Sequence, residues 1–281
     1  MHVIASPAEF RHAARTAPQP LVLVPTMGAL HDGHRALVRR ARELAGPGGT
    51  VAVSIFVNPI QFDRPGDLAA YPQTLEADLA ACEADGADLV FTPEPAAMYF
   101  PDRSVTVTES SLSGHLCGAA RPGHFDGVCT VVLKLFLLSG ASAAVFGEKD
   151  FQQLAVIRRM VRDLDVPVEI VPHPTVREAD GLAMSSRNVR LSPEHRADAP
   201  RIRRALLAAR DLLKSGERSA ETIADAARGL LEASPFLKPD YLATVDEETL
   251  QPVATIERPA VLAFAGFYGE VRLIDHVRLL P

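Results

Sequence analysis

The stretch that decides the fold is LVLVPTMGALHDGHRALVRRARELA, residues 21–45. It opens with LVLVP, a continuous apolar run of the kind found in strands that are covered on both faces. A helix is predicted to follow from about His34 to Ala45. Its apolar positions form a single stripe: Leu37, Val38, Ala41 and Leu44. A buried strand that runs into an amphipathic helix is the repeating unit of a parallel sheet covered by helices.

The same alternation continues to about residue 175. Further strands are predicted at VAVSIFV (51–57), DLVF (88–91), AAVFG (143–147) and VEIV (168–171). Further helices are predicted around 75–82, with Leu75, Leu79 and Cys82 on one side, and over 125–138 and 151–164. Right-handed crossovers then give a Rossmann-like, doubly wound parallel sheet, with ligands expected at the carboxyl ends of its strands. We therefore expect an α/β domain over residues 1–175.

The sequence pattern changes after residue 176. Ser192-Pro193-Glu194 predicts a helix start, and Ala-rich helical sequence continues to about Ala233, with breaks near Pro200 and Ser215-Gly216. Three short strand-like runs end the chain: DYLATVD, AVLAFAGF and VRLIDHV. Helices followed by short strands predict a smaller C-terminal α+β domain over residues 176–281.

Composition and charge limit the class of protein. The 281 residues are 47% apolar and 23% charged, the balance of a globular protein, and the formal net charge is −6. This charge argues against a generic nucleic-acid binder but leaves room for an anionic small substrate. Three cysteines without CxxC spacing indicate reduced thiols. The N-terminus lacks a secretory pattern, and the most apolar run, VVLKLFLL (131–138), is too short to cross a bilayer. We expect a cytoplasmic protein with no membrane partner.

The segment PTMGALHDGH, residues 25–34, lies between the first predicted strand and its helix. Glycines there permit close backbone approach, and a helix N-terminus presents N–H groups and partial positive charge. His31 and His34 add two donors at the same place. The pattern indicates a phosphate site without a Walker lysine. The alternative is an ordinary strand-to-helix turn with two surface histidines.

Two further clusters follow predicted strands. VNPIQF places Asn58 and Gln61 where amides can orient hydroxyl and carboxylate groups, although Asn-Pro turn chemistry is the simpler alternative. FGEKDFQQ (146–153) supplies Lys149, a point charge suited to phosphate, with Asp150 at a helix start and Gln153 one turn on. A solvated helix cap is the alternative for this second cluster.

The remaining candidates give weaker signals. ADGLAMSSRN (179–188) carries two hydroxyls and a guanidinium on what we expect to be a flexible stretch, a possible phosphate clamp. RPGHFDG adds Arg121 and His124, with an ordinary surface loop as an equal alternative. Glu76 and Asp78 could hold Mg²⁺ through water, although exposed helix acids are usually only solvated. No GxGxxG, GxxxxGK[ST], HExxH or GxSxG motif occurs.

Taken together, these blocks resemble a known family. PTMGALHDGH is similar to the HxGH adenylylation signature of the nucleotidyltransferase superfamily, in the form found in pantothenate synthetases. SIFVNPIQF, GHFDGVCTVVLKLF, VFGEKDFQQL and PTVREADGLAMSSRN resemble the other blocks of that family, in the same order. The resemblance is strong over about residues 20–200 and weaker beyond. It departs at Val189-Arg190, where the family has an aromatic residue nearby.

The resemblance implies an amide-forming ligase. It would condense (R)-pantoate with β-alanine at the expense of ATP, giving pantothenate, AMP and pyrophosphate through an enzyme-bound pantoyl adenylate. It also implies Mg²⁺ accompanying the ATP and a homodimeric enzyme, with residues 176–281 as a lid over the reaction.

The resemblance also implies roles for individual residues. ATP would be bound by Met27, Gly28, Ala29, Leu30, His31, Asp32, Gly33, His34, Gly147, Glu148, Lys149, Asp150, Val176, Met184, Ser185, Ser186 and Arg187. His34, His31 and Lys149 would be catalytic. Gln61, Gln153 and Asn58 would bind pantoate and β-alanine, and Asp78 is the candidate metal ligand.

Two other functions stay open on the sequence. An adenylyl- or cytidylyltransferase would keep the HxGH site and stop after nucleotidyl transfer. A regulatory module would keep the nucleotide site and have lost the chemistry. Competent polar residues at the motif positions argue against the second alternative.

Overall fold

The computed structural model describes all residues, Met1–Pro281. The strands are β1 (His2–Ile4), β2 (Leu21–Thr26), β3 (Thr50–Ile55), β4 (Leu89–Phe91), β5 (Ala143–Gly147), β6 (Glu169–His173), β7 (Leu237–Asp246), β8 (Ala260–Tyr268) and β9 (Val271–Leu279). The helices are α1 (Pro7–Thr16), α2 (Asp32–Ala45), α3 (Pro65–Ala69), α4 (Leu75–Ala84), α5 (Pro95–Met98), α6 (Leu116–Ala120), α7 (His124–Ser139), α8 (Phe151–Asp163), α9 (Pro193–Asp198), α10 (Arg201–Lys214) and α11 (Ala220–Glu232).

Six strands form one parallel sheet in the order β1-β4-β3-β2-β5-β6. The predicted fold class is confirmed, because the apolar runs are buried on both faces: Leu21–Val24 and Val51–Val53 are almost inaccessible. On one side of the sheet α2 packs its predicted stripe against the strands, with Val38 and Ala41 in the core and Leu44 partly buried at its margin.

The strand order places a switch point beside β2. From β2 the chain continues through β3 and β4 on one side and then returns to β5 on the other. Open α/β sheets bind ligands in the crevice outside the carboxyl ends of the strands at such a point. The two segments that leave this edge are the loop after β2 and the turn after β5, which are the two strand-to-helix motifs singled out in the sequence.

The C-terminal part has its own core. β7, β8 and β9 form an antiparallel sheet, and α10 and α11 pack on it. Ile202, Leu206, Phe264 and Tyr268 are fully buried there. Helices combined with a small antiparallel sheet are the α+β arrangement predicted for this region.

The contacts divide the chain into two compact units that differ from a single cut at residue 175. Unit 1 comprises 1–109, 121–148 and 156–174, and unit 2 comprises 110–120, 149–155 and 175–281. Gln152 shows why the two short segments join the second unit. Its amide is buried, accepts from the backbone N–H of Cys117 and donates to the carbonyls of Leu112 and His115. None of the helices combines the length and the apolar character needed to cross a membrane.

Candidate active site

The loop after β2 has an unusual backbone. Gly28 and Ala29 both have positive φ, 79° and 49°. At Gly28 a Cβ atom would lie 3.0 Å from Asp78 Oδ2 and 3.1 Å from Ile55 Cγ2, so glycine is required for both conformation and space. For Ala29 the left-handed region is strained by about 1–2 kcal/mol. Something must therefore hold the loop.

Asp78 holds the loop. Its two carboxylate oxygens accept hydrogen bonds from the N–H groups of Ala29 (2.9 Å) and Leu30 (2.8 Å), and the Thr74 hydroxyl donates to one of them (3.1 Å). The carboxylate is buried, whereas Leu75, expected on the apolar side of this helix, is exposed. This arrangement argues against the predicted role of Asp78 as a metal ligand, because both of its oxygens already accept from backbone N–H groups. Its neighbour Glu76 is exposed.

The two histidines cap the helix that follows. His31 is the N-cap of α2, and its Nδ1 accepts from the Gly33 N–H (3.1 Å). The Nδ1 of His34 accepts from the His31 N–H (3.4 Å), and the two rings lie 4.0 Å apart between centroids. In a neutral imidazole one nitrogen accepts and the other carries the proton. The caps thus fix the tautomer with the proton on Nε2 in both rings. The helix begins at Asp32, two residues before the predicted start.

Gln61 lies behind this loop, within the same unit. It is buried in a short 3-10 turn after β3, and its Nε2 lies 3.0 Å from the Sδ of Met27. Asn58 is only 1% exposed, and its amide is occupied by Gln61 Oε1, the Gly127 carbonyl and the Tyr99 hydroxyl. These internal hydrogen bonds argue against the predicted contact of Asn58 with substrate and favour a role in positioning Gln61.

The segment with Arg121 and His124 contacts the backbone of Gln61. His124 Nδ1 lies 2.7 Å from the Gln61 carbonyl oxygen, so this nitrogen carries the proton and donates. Arg121 lies 3.2 Å from His124 Nε2 and donates to Asp63 at 2.8 Å. Burial alone would raise the pKa of Asp63, but the hydrogen bond and charge of Arg121 outweigh it and lower the pKa. Arg121 and His124 are thus structural partners of the Gln61 turn.

The turn after β5 carries the third motif. β5 ends at Gly147, Glu148–Asp150 form one 3-10 turn, and α8 starts at Phe151. In unit 2, Lys149 Nζ is 3.5 Å from Asp150 Oδ2 and its side chain is 20% exposed. A cation held so loosely is available to an anionic ligand. Gln153 is half-buried, whereas its neighbour Gln152 is a structural residue, as described above.

The segment expected to be a flexible clamp is a hydrogen-bonded hairpin of unit 2. Met184 N–H donates to the Val176 carbonyl (3.0 Å), and Glu178 N–H to that of Leu182 (2.9 Å). The hairpin ends in a 3-10 turn, Ser186–Arg190, in which the Ser185 hydroxyl accepts from the Arg187 N–H. Val189, where the chain departs from the family pattern, is 80% exposed, so this departure leaves the packing of the hairpin intact.

Two arginines fix this hairpin within unit 2 through ion pairs. Arg177 donates to both oxygens of the buried Asp275 of β9, at 2.7 and 2.9 Å. Arg196 of α9 pairs with Glu178 and with Asp180. Paired bidentate contacts set orientation as well as position. The backbone that carries Ser185 and Arg187 is therefore preorganised.

No cluster of three or more His, Cys, Asp or Glu side chains is arranged to hold a metal ion. Because the oxygens of Asp78 are engaged by the loop, the residues present do not build a resident metal site.

The comparisons with known proteins agree with the fold and the motifs. The family model for pantoate-β-alanine ligase matches residues 2–278. The pantothenate synthetase of Akkermansia muciniphila is 55% identical over 259 residues, covering 92% of each chain, and that of Nitratidesulfovibrio vulgaris is 50% identical over 99% of each.

Solved structures extend the likeness to three dimensions. The crystal structure of pantothenate synthetase from Thermus thermophilus is 47% identical and has a TM-score of 0.93 over 100% of both chains. The Francisella tularensis pantoate-β-alanine ligase, complexed with β-γ ATP and β-alanine, is 29% identical with a TM-score of 0.76 over 99% of this chain and 97% of that one. With its whole length matched by the family model and by relatives at about half identity, this chain belongs to the pantoate-β-alanine ligase (pantothenate synthetase) family.

Proposed function

We propose that this chain condenses (R)-pantoate with β-alanine, with ATP converted to AMP and pyrophosphate. The observation that carries the proposal is the helix start after β2, where two imidazoles with protonated Nε2 atoms lie at the switch point of the sheet. Family membership supplies the substrates, and the residues suit a reaction in which negative charge builds on phosphate oxygens.

In the first step the pantoate carboxylate attacks the α-phosphorus of ATP. The bond from that phosphorus to the bridging oxygen breaks, and pyrophosphate leaves with the electron pair. Such a reaction needs alignment and compensation of charge more than covalent help. We assign the Nε2–H groups of His34 and His31 to the phosphate oxygens, together with the N-terminus of α2.

The other ATP contacts are proposed from the resemblance and supported by the local geometry. Lys149 supplies a point charge, and Ser185, Ser186 and Arg187 supply hydroxyls and a bidentate guanidinium on a rigid hairpin. Val176 is assigned to the adenine, and Met184, whose N–H donates to the Val176 carbonyl, is assigned to ATP.

Gln61 and Gln153 are assigned to pantoate. Neutral amides suit a nucleophilic carboxylate, because a cation paired with it would reduce its reactivity. Gln61 is held from both sides, by Asn58 through its side chain and by His124 through its carbonyl.

In the second step the amine of β-alanine, in its deprotonated form, attacks the acyl carbon of the adenylate. The amide bond forms, AMP leaves, and the amine loses a proton. Water would destroy the mixed anhydride, so the intermediate must be shielded from solvent. We propose that residues 176–281 contribute this shielding as a lid.

Mg²⁺ is assigned to the ATP as co-substrate. A cytoplasmic homodimer is the proposed working form; light scattering tests the oligomeric state, and cell fractionation tests the location.

The deciding experiment is a pair of single-turnover reactions with labelled ATP. With pantoate alone we expect AMP-linked pantoate and pyrophosphate on the enzyme. Adding β-alanine should release pantothenate and AMP. Adenylate formation without any amide product would instead favour a nucleotidyltransferase that stops after the first step, and no turnover of ATP at all would favour a regulatory module.

The role of His34 has its own test. His34→Ala should reduce turnover by about 10²–10⁴-fold, the usual contribution of a positioned proton donor, without loss of the folded state. His12→Ala, which removes an exposed histidine from α1, is the matched control. Unchanged turnover in His34→Ala would refute the assignment.

A further inference from the structure

A chain of hydrogen bonds within unit 1 leads from Tyr99 through Asn58 to Gln61. The Tyr99 hydroxyl lies 2.7 Å from Asn58 Oδ1. Asn58 Nδ2 lies 3.1 Å from the Gly127 carbonyl oxygen and 2.9 Å from Gln61 Oε1. Beyond it, Gln61 Nε2 lies 3.0 Å from Met27 Sδ. None of the sequence motifs identified Tyr99, which follows the short helix α5.

The direction of this chain follows from one group that cannot be reversed. The Gly127 carbonyl only accepts, so the Asn58 atom beside it must be the NH₂ nitrogen. The other end of Asn58 is then the oxygen, which takes the proton of Tyr99. The same NH₂ group faces Gln61, whose nearer atom must be its oxygen. The outer end of Gln61 is therefore its NH₂ group, and the thioether of Met27, a weak acceptor, is compatible with it.

We propose that Tyr99 is a positioning residue that acts through Asn58 to hold the Gln61 amide with its NH₂ group toward pantoate. The proposal rests on the assignment of Gln61 to pantoate made above. A carboxylate accepts hydrogen bonds and donates none, so only this orientation of the amide attracts it. A reversed amide would present its oxygen to the carboxylate and repel it.

The surroundings of Tyr99 suit this role. Burial raises the pKa of its phenol, with the nearby charge of Arg103 opposing the shift, so the hydroxyl keeps its proton at neutral pH and can donate it. The ring is held by Phe56 at 6.2 Å between centroids and by two cations above it, Arg103 at 5.5 Å and Lys134 at 5.7 Å. Ring packing thus locates the hydroxyl independently of the hydrogen bond it makes.

The test is a double-mutant cycle of Tyr99→Phe and Gln61→Ala. Tyr99→Phe keeps the ring and removes only the hydroxyl, which leaves the Asn58 oxygen buried without its donor. We expect kcat/KM for pantoate to fall about tenfold, mainly through KM, with KM for ATP within about twofold of the parent. In the Gln61→Ala background the same substitution should change kcat/KM by less than about twofold. Asp102→Ala, which removes an exposed side chain close to Tyr99 in the sequence and leaves the ring contacts and the hydroxyl in place, is the control and should not change KM for pantoate.

The outcomes distinguish the assignment of Gln61 to pantoate from the role of Tyr99. A Gln61→Ala enzyme with the parental KM for pantoate would overturn the assignment of Gln61. A Tyr99→Phe effect of equal size in both backgrounds would overturn only the positioning role of Tyr99. An equal change in KM for ATP and for pantoate, or no effect at all, would do the same.

A second measurement does not depend on a variant of Tyr99. In protein labelled with ¹⁵N at glutamine side chains, the Gln61 NH₂ resonance is identified by its loss in Gln61→Ala. We expect added pantoate to shift this resonance in the parent enzyme. A resonance unchanged at saturating pantoate would refute the assignment of Gln61 to pantoate, on which the role of Tyr99 rests.

Discussion

Replacing Asp78 with asparagine should damage the loop after β2, which contains Ala29 and Leu30, more than the rest of the protein. Its carboxylate accepts hydrogen bonds from the N–H groups of Ala29 and Leu30, which precede it by 49 and 48 positions in the sequence. Asparagine has the same shape but only one accepting oxygen. One of the two N–H groups would therefore face an NH₂ group, in a loop that already contains a left-handed alanine.

The size of the effect can be worked from these contacts. Hydrogen bonds to a charged acceptor contribute about 1.5–3 kcal/mol each, and a buried donor left unsatisfied costs about 1–3 kcal/mol. Loss of one such bond, with its donor unpaired, thus amounts to about 3 kcal/mol. If this cost falls on the loop, kcat/KM for ATP should decrease by about 10²-fold.

The assay is pantoate-dependent exchange of labelled pyrophosphate into ATP, with thermal unfolding measured in parallel. Glu76→Gln, which removes a charge from an exposed position of the same helix, is the control and should behave as the parent. Excess Mg²⁺ should not rescue Asp78→Asn, because the carboxylate binds backbone and not metal. Parental exchange kinetics in Asp78→Asn, or full rescue by Mg²⁺, would refute the role we give this residue.

Three further substitutions test other contacts. Gly127→Ala would place a Cβ 2.6 Å from Gln61 Cα, so we expect a loss of about 1–3 kcal/mol in stability and a higher KM for pantoate, checked by urea unfolding and steady-state kinetics. Arg177→Ala leaves the carboxylate of Asp275 buried without its partner and should cost about 3–5 kcal/mol, again by urea unfolding; a loss under about 1 kcal/mol would contradict this. Burial alone would raise the pKa of Asp85, but hydrogen bonds from the arginines of α2 outweigh it and lower the pKa below its ordinary 3.8. That pairing stabilises the fold above pH about 4 and is lost as pH falls through the lowered pKa, so Asp85→Asn should be less stable than the parent at pH 7 and lose this difference in acid; a difference independent of pH would contradict the pairing.

Local sequence predicted the elements whose signals are strong and continuous. The apolar run at 21–25 and the stripe on α2 indicated the strand and the helix on either side of the loop after β2. Ser192-Pro193 marked the start of α9, because an N-cap followed by proline has few other structural uses. The same signal at Ser6-Pro7 starts α1, a helix absent from our predictions although its cap is equally clear.

The contacts that complete the site could not be predicted in the same way. Asp78 resembles an exposed helix acid, and Asn58 a turn residue, until the fold brings their partners to them. Tyr99 follows Asn58, whose side-chain oxygen accepts a hydrogen bond from its hydroxyl, by 41 residues in the sequence. Pairings of this range depend on sheet order and helix packing, which periodicity does not specify.

The interleaving of the two units limits how such a chain can be recombined. Cys117, whose Sγ lies 3.1 Å from the Tyr241 hydroxyl, comes from a short excursion of the chain, and Gln152 from another. A chimera that joins the first 174 residues of one relative to the remainder of another would carry both short segments from the wrong parent. Exchange of whole units between relatives is therefore disfavoured here. A substitution at Cys117 should be accompanied by a compensating one at Tyr241.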